Sequence, residues 1–248
     1  MAANERSLAH GSRPQGGGAA WRLLAGSIAF LVFYLSVSFV TPSLASDALP
    51  LPNDPAAETR AWYAGNAAAA VATGVCQLLS VAFLALFVQG LVRAAAGPER
   101  ERIAGRARAW GYGAVALMAA SSVLSWTLAA VASSASVDTV SVLRTANFIA
   151  GGTAHVVALG VFVLLASRMP GFGKGVRGFA WVVAVPAVAS LISIVVFEGA
   201  ALILLGRLLG MIWTISAAVS VTRGLSRGTW PAARGPRTMT VLSPQGES

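Results

Sequence analysis

Residues 200–223 read AALILLGRLLGMIWTISAAVSVTR, and this stretch decides the class of fold. It is apolar over about 20 residues, the length of helix that crosses the hydrocarbon core of a bilayer. The charge inside it is Arg207, about a third of the way along. A charge within a membrane span is costly and marks a residue that faces protein or water rather than lipid. We therefore expect a membrane helix with a structural or functional residue at Arg207.

The composition of the whole chain also indicates a membrane protein. Of its 248 residues, 56% are hydrophobic and only 11% are charged. Such a composition excludes an ordinary soluble domain and a disordered chain. The formal net charge of +9 does not call for a nucleic-acid partner, because the basic residues lie in loops between apolar runs. We predict the lipid bilayer as a partner and no nucleic acid.

Apolar runs predict an all-α membrane protein, a bundle of six transmembrane helices in one domain over residues 20–222. The predicted spans are residues 20–40, 65–92, 109–131, 145–166, 179–197 and 200–222. Residues 1–19 are expected to form a flexible tail, and residues 223–248 a disordered one. A short helix is expected at residues 55–63, a polar loop at residues 133–142, and a kink at Pro186 in the fifth span.

The first span has an alternative interpretation as a cleaved signal peptide. The sequence SLA at residues 43–45 is similar to a cleavage site that follows a basic start and an apolar core. However, the apolar core is longer than the usual length of about 7–15 residues. Ser27, Tyr34 and Ser38 also lie on one helical face, which favours a retained helix that packs in the bundle and that Pro42 ends.

Lys and Arg residues are distributed unevenly between the two sides of a six-span chain. One side carries Arg6, Arg13, Arg22, Arg93, Arg100, Arg102, Arg106, Arg108, Arg168, Lys174, Arg177, Arg223, Arg227, Arg234 and Arg237. The other side carries only Arg60 and Arg144. The positive-inside rule then places both termini in the cytoplasm, and we predict a multi-pass protein of a bacterial plasma membrane.

Arg207 lies on the smaller and more polar face of its helix. That face also carries Ile203, Gly210, Met211, Thr214 and Ala218, whereas the opposite face carries Leu205, Leu209, Ile212 and Val219. Gly206 and Gly210 are four residues apart and allow a neighbouring helix to approach closely. The side chain is therefore expected to point into the bundle, either as a structural hydrogen-bond donor or as a binding residue for an anionic ligand; it could also reach outward to Glu198.

Polar residues of other spans lie at similar depth. Asn147, Gly151 and His155 follow at four-residue spacing on one face of the fourth span, and Gln77 lies on a polar stripe of the second. We predict a buried polar cluster of Gln77, His155 and Arg207 that opens toward the outer side, with Asn147 as a further binding residue. Such a cluster can also be purely structural, because polar side chains hold membrane helices together.

The sequence offers no pattern typical of a metal, cofactor or catalytic site. Cys76 is the single cysteine, and His155 is the single histidine within the spans, so a zinc site or a bis-histidine haem lacks ligands. Neither a nucleophile-elbow motif nor a phosphate-binding loop is present. We predict no metal, no cofactor, no catalytic residue and no enzymatic activity.

Four stretches resemble a widespread group of bacterial six-span integral membrane proteins of unknown function. They are PAAETRAWYAGN at residues 55–66, LVR at residues 91–93, MPGF at residues 169–172 and LLGRLLGMIW at residues 204–213. Here Gly171 separates the proline of the third stretch from the aromatic residue that usually follows it directly. The resemblance covers about residues 20–222 and implies the fold but no site residues.

Two functions are compatible with these patterns. The first is a non-enzymatic membrane protein that acts through a membrane-protein partner or lipids, alone or as a homo-oligomer. The alternative is a transporter or channel-like binder of a small anionic or amphipathic solute with a polar site around Arg207. An intramembrane enzyme is the least favoured, because catalytic motifs are lacking.

Overall fold

The computed structural model describes residues 16–94 and 98–230, and these residues are helical with no β-strand among them. The helices are α1 Gly16–Leu44, α2 Ala56–Gly65, α3 Ala67–Ala94, α4 Pro98–Val131, α5 Val137–Asn147, a π-helix Phe148–Ala154, α6 His155–Ser167, α7 Lys174–Ala189, 3₁₀ turns Ser190–Ile194 and Phe197–Gly199, and α8 Ala200–Ser226.

Within the described residues, six helical segments are long and apolar enough to cross a membrane, as predicted. They are Ala20–Leu44, Ala67–Ala94, Glu101–Val131, Val137–Ser167, Lys174–Ile194 and Phe197–Ser226. Their lengths of 21 to 31 residues exceed or match the roughly 20 residues that span hydrocarbon. The protein is therefore a multi-pass membrane protein with six helical spans.

The six spans form a closed ring. Helix α1 packs against α3, α3 against α4, α4 against α6, α6 against α7, and α7 against α8, which returns to pack against α1. Phe162 is at the centre of the aromatic core, with its ring edge-on to Phe87 and Trp213 at centroid distances of 6.3 Å. Edge-on aromatic pairs of this kind add to the stabilisation from burial.

Glycines bring α8 close to its neighbours, as their four-residue spacing predicts. A Cβ atom at Gly206 would lie 2.9 Å from the Cα of Ala187 on α7, and one at Gly210 would lie 2.8 Å from a methyl carbon of Leu159 on α6. Any side chain at these positions would push the helices apart. The small face of α8 thus lets the helix backbone meet α6 and α7 directly.

Several predicted boundaries differ from the observed ones. Helix α1 begins at Gly16 and continues through Pro42 to Leu44, so Pro42 lies in its last turn and does not end it. Pro42 has no N–H to donate to the carbonyl of Ser38, so the last turn of α1 forms with one hydrogen bond fewer. The remainder of the predicted N-terminal tail, residues 1–15, lies outside the described residues.

The loop between the third and fourth spans is shorter than predicted. Helix α5 begins at Val137, so only residues 132–136 connect α4 to α5. Ser136 caps α5, because its hydroxyl accepts a hydrogen bond from the backbone N–H of Thr139 at 3.1 Å. The expected short helix near residues 55–63 is present as α2 at Ala56–Gly65.

The predicted C-terminal tail also begins too early. Helix α8 continues to Ser226, and Trp230 is buried, with its indole N–H donating to the carbonyl of Ala94 at 2.8 Å. Residues 223–230 therefore belong to the bundle, because Trp230 fastens the end of α8 to the end of α3. The other predicted tail residues, 231–248, lie outside the described part of the chain.

The two ends of the bundle differ in charge. We call one end the basic end, because it holds the start of α1, the end of α3, the start of α4, the end of α6, the start of α7 and the end of α8. Its basic residues include Arg22, Arg93, Arg106, Arg108, Arg168, Lys174, Arg177, Arg223 and Arg227. The opposite end holds α2, which contains Arg60, and the 3₁₀ turn Phe197–Gly199, which contains Glu198.

Candidate functional site

Arg207 is buried between three elements of the bundle, with 8% of its surface exposed. One terminal nitrogen donates to the Tyr34 hydroxyl of α1 at 3.0 Å, and the other donates to the backbone carbonyl of Gly151 in the π-helix. The guanidinium carbon lies 5.1 Å from the centroid of the Tyr34 ring. The side chain points into the bundle, as its helix face predicts, and its hydrogen bonds do not go to Glu198.

The π-helix makes the Gly151 carbonyl available to Arg207. In an α-helix the backbone N–H of His155 would donate to the carbonyl four residues earlier, which is that of Gly151. Here it bonds to the carbonyls of Ala150 and Gly152 instead. Local π-geometry is rare and occurs frequently at functional sites, where it changes which backbone groups are free. The distortion thus supplies a neutral acceptor for a buried cation.

Arg207 lines a cavity of about 270 Å³ at the end of the bundle opposite the basic end. We call this cavity the outer pocket. Its lining consists of Leu49, Pro50, Pro52, Tyr63, Gln77, Ser121, Arg144, Asn147, Phe148, Gly151, Gly152, Ile203 and Arg207. This lining contains two arginines and no Asp or Glu, so its formal charge is positive.

The connection between α1 and α2, residues 45–55, covers the outer pocket, and we call it the strap. Arg144 of α5 holds it by donating to the carbonyls of Pro50 and Asp54 at 3.1 and 3.2 Å. At its other end the side-chain oxygen of Asn66 accepts from the backbone N–H of Ser46 at 2.8 Å. The indole N–H of Trp62 donates to the carbonyl of Asp47 at 2.9 Å. The strap is therefore fastened to α2, to the start of α3 and to α5.

Asn147 organises one wall of the outer pocket. Its side-chain oxygen accepts from the hydroxyl of Ser121, and its amide nitrogen donates to the hydroxyl of Ser125 at 3.0 Å. Tyr63 joins this wall from α2. Burial raises the pKa of the Tyr63 hydroxyl, while the positive charge of Arg144 and hydrogen bonding with Asn147 and Ser125 act in the opposite direction. A neutral phenol and amide thus line the pocket beside the arginines.

Gln77 reaches the outer pocket from α3, whereas other polar residues of α3 face α1. The Gln77 side-chain oxygen is buried and has no hydrogen-bond partner within the described residues. Two other polar residues of α3 face α1: the hydroxyls of Thr73 and Thr41 are 2.5 Å apart, and Ser80 donates to the carbonyl of Phe30 at 2.8 Å. Buried acceptors without partners are rare in proteins, so the Gln77 oxygen marks a position where a ligand or water can donate.

His155 is not part of the lining of the outer pocket. Its ring is fully buried, and Nδ1 lies 2.8 Å from the carbonyl of Ala114 on α4. Because a carbonyl only accepts, Nδ1 carries the proton and donates. The helix places the ring one turn deeper than Gly151. Gln77, Asn147 and Arg207 thus line one cavity, whereas His155 connects α6 to α4 beneath it. The predicted binding role of these residues stays a prediction.

Sequence reasoning did not assign several residues of the pocket. Tyr34 was recognised as one of the polar residues on a face of α1 but not as a partner of Arg207, because nothing in a sequence pairs residues 173 positions apart. Arg144 was assigned to a loop, since α5 was not predicted. The prolines of the strap, Pro50 and Pro52, indicate that this segment is a loop between helices. They do not indicate that the loop covers a pocket.

The described residues contain no group of three or more His, Cys, Asp and Glu side chains that could hold a metal ion. The predictions of no metal, no cofactor and no enzymatic activity remain predictions. Comparisons with protein-family models, with curated proteins and with solved structures found no match to the chain. The resemblance to a bacterial six-span group remains a prediction as well.

Proposed function

We propose that this multi-pass membrane protein binds a small anionic solute in the outer pocket, as a solute receptor or transporter. One observation carries the proposal: two arginines, Arg144 and Arg207, line one cavity whose lining contains no carboxylate. The two hydrogen-bond partners of Arg207 are both neutral, so they solvate its charge without cancelling it. A buried cation of this kind attracts an anion from the side of the membrane to which the pocket opens.

The pocket also limits the chemical class of the solute. Its volume of about 270 Å³ lies just below the range of about 300–1,000 Å³ for small-molecule sites, which suits a compact ligand. The Nε atom of Arg207 is a buried donor and the Gln77 side-chain oxygen a buried acceptor, and neither has a partner in the described part of the chain. A small anion that also carries a hydroxyl or N–H group, such as a hydroxycarboxylate, would satisfy both atoms.

We further propose that the pocket opens to the outside of a bacterial plasma membrane. The positive-inside rule supports a cytoplasmic location for the basic end, and the outer pocket lies at the opposite end. The strap over the pocket would then be extracellular. The other predicted function, action through a membrane-protein partner or as a homo-oligomer, remains a prediction. The contacts within a single chain do not bear on it.

Charge-selective labelling of the pocket tests the proposal without knowledge of the natural ligand. Gly152 lines the pocket, and a Cβ atom there would meet Ile203 at an ordinary contact distance of 3.5 Å. A Gly152→Cys protein in a Cys76→Ala background is treated with an anionic sulfonatoethyl or a cationic trimethylammonioethyl methanethiosulfonate. Ser134→Cys is the reference, because Ser134 is exposed at the same end of the bundle but outside the pocket. It gives the ratio of the two reaction rates at a thiol that the pocket does not influence.

For each variant, the anionic rate is divided by the cationic rate. We expect this ratio to be about ten times larger for Gly152→Cys than for Ser134→Cys. Arg207→Gln should remove most of this preference, whereas Arg60→Gln should not. Arg60 is a matched control because it lies at the same end but hydrogen-bonds to Ala132 and Ser133 rather than lining the pocket. Equal rates for both reagents in the pocket would refute the proposal. A lactate titration that slows labelling would identify the ligand class.

A further inference from the structure

A second cavity lies at the basic end, on the outside of the bundle between α1 and α3. This groove has a volume of about 480 Å³ and is lined mainly by apolar side chains, with the end of α8 contributing Leu225. Its volume falls within the range typical of small-molecule sites. It has no residue in common with the outer pocket, so whatever it binds is independent of the function proposed above.

Two glycines create the depth of the groove. Gly26 of α1 lies against the backbone of α3, where an added Cβ would be 3.5 Å from the carbonyl oxygen of Phe83. Gly90 of α3 lies against α1, where an added Cβ would be 2.8 Å from a methyl carbon of Leu23. Because neither position carries a side chain, α1 and α3 approach closely there, and a channel runs along the outer surface of their contact. Leu86, which is 56% exposed, forms an apolar wall of this channel.

Positive charge is confined to one end of the groove. Arg22 at the start of α1 and Arg93 at the end of α3 both line it, and both are exposed. Trp21 stands beside them with 66% of its surface exposed. Tryptophan at the end of a membrane span is typical of the level of lipid headgroups. The groove therefore combines an apolar channel at hydrocarbon depth with two guanidinium groups at headgroup depth.

We propose that this groove is a binding site for an anionic phospholipid of the leaflet at the basic end. The phosphodiester would lie between Arg22 and Arg93, because guanidinium groups bind phosphate oxygens in a bidentate geometry. One acyl chain would follow the channel over Gly26 and Gly90, against Leu86. A zwitterionic lipid fits the channel equally well, but its positive headgroup is repelled by the two arginines. The site thus selects by charge at one end and by shape along its length.

Native mass spectrometry of the full-length protein in detergent tests this site with two lipids of identical chains, dioleoylphosphatidylglycerol and dioleoylphosphatidylcholine. We expect the first bound phosphatidylglycerol to be held at least ten-fold more tightly than phosphatidylcholine. Each basic side chain near an anionic lipid surface strengthens binding by about five-fold, so Arg22→Gln with Arg93→Gln should weaken phosphatidylglycerol binding about thirty-fold. A site of this kind should also lose the lipid when the channel is filled by Ala25→Phe, which changes no charge.

The control removes the same charge from the same end of the bundle without touching the groove. Lys174→Gln with Arg177→Gln alters two exposed residues at the start of α7, and this pair should weaken binding less than three-fold. Equal losses in the two double variants would overturn the proposal, because they would show an unspecific attraction to the basic end. Unchanged binding in Ala25→Phe would also overturn it, since the headgroup alone would then suffice, and so would equal affinity for the two lipids.

Discussion

Arg207 connects three elements of the bundle, and in the proposed function the same side chain also binds the solute. Its two terminal nitrogens connect α8 to Tyr34 of α1 and to the π-helix, so the residue holds three elements together. Neutral acceptors leave its charge in place, and its Nε donor is without a partner among the described residues. A purely structural residue at this depth could be a neutral donor at lower desolvation cost. The retained charge is the physical reason to connect Arg207 with an anion.

Tyr63 provides a pH-dependent test of the wall beside Arg207. Because burial raises the pKa of the Tyr63 hydroxyl above its ordinary value near 10, the folded protein favours the protonated phenol. Its contribution to stability is therefore fully present below pH 10. It is lost as the pH rises from 10 through the higher pKa of the folded state. We expect the Tm of the wild type to fall more steeply above pH 10 than that of Tyr63→Phe.

The measurement is thermal unfolding followed by circular dichroism in detergent at several pH values. Tyr112→Phe serves as the matched control, because Tyr112 lies on α4 with 38% of its surface exposed. Its slope against pH should equal that of the wild type. If Tyr63→Phe and the wild type lose stability in parallel above pH 10, the phenol is not held neutral by its surroundings.

At the scale of elements, the shape of the site depends on where helices depart from regular geometry. The π-helix Phe148–Ala154 joins α5 to α6 within one continuous span, and it contains both Gly151 and Gly152. A Cβ atom at Gly151 would overlap the hydroxyl of Ser121, so α4 and the π-helix meet there without a side chain between them. The sequence predicts this strip as small and polar. It does not predict the change of helical period, because glycine is compatible with either geometry.

Close packing of α8 against α7 predicts opposite effects of alanine at two glycines. An added Cβ at Gly206 would lie 2.9 Å from the Cα of Ala187 and 3.0 Å from Val156, whereas nothing lies within 4 Å at Gly113 of α4. Overpacking costs about 1–3 kcal/mol, and alanine regains about 0.5–1 kcal/mol of helix propensity. We expect Gly206→Ala to lower the Tm of the purified protein by several degrees.

Gly113→Ala should leave the Tm unchanged or raise it slightly, because only the gain in helix propensity applies there. The two variants differ from the wild type by the same atoms, so the difference in Tm between them isolates the cost of separating α7 and α8. A Tm for Gly206→Ala equal to that of Gly113→Ala would contradict the direct contact between the helix backbones.

At the scale of the whole molecule, the sequence was informative about spans and less so about contacts. Hydrophobic length predicts six helices, and the face of Arg207 predicts burial of Ile203, Met211 and Thr214, all of which are buried. Those inferences depend on local periodicity. Other features depend on how distant helices close into a ring, which periodicity does not encode. These features are the partners of Arg207, the strap held by Arg144, and the position of His155 outside the pocket.

The proposed orientation of the bundle, with its basic end in the cytoplasm, rests on the difference in charge between the two ends. It leads to a labelling prediction. Ser134 lies at the end opposite the basic end, Lys174 lies at the basic end, and both are exposed. In a Cys76→Ala background, a membrane-impermeant maleimide added to intact cells should label Ser134→Cys. It should label Lys174→Cys only after the membrane is permeabilised, because the orientation that we propose from the positive-inside rule has the basic end in the cytoplasm. Ser134 lies between two spans and Lys174 is the first residue of the fifth span, so both thiols lie at an end of the bundle. The reverse pattern would place the outer pocket on the cytoplasmic side, and it would contradict the proposal that this pocket opens to the outside.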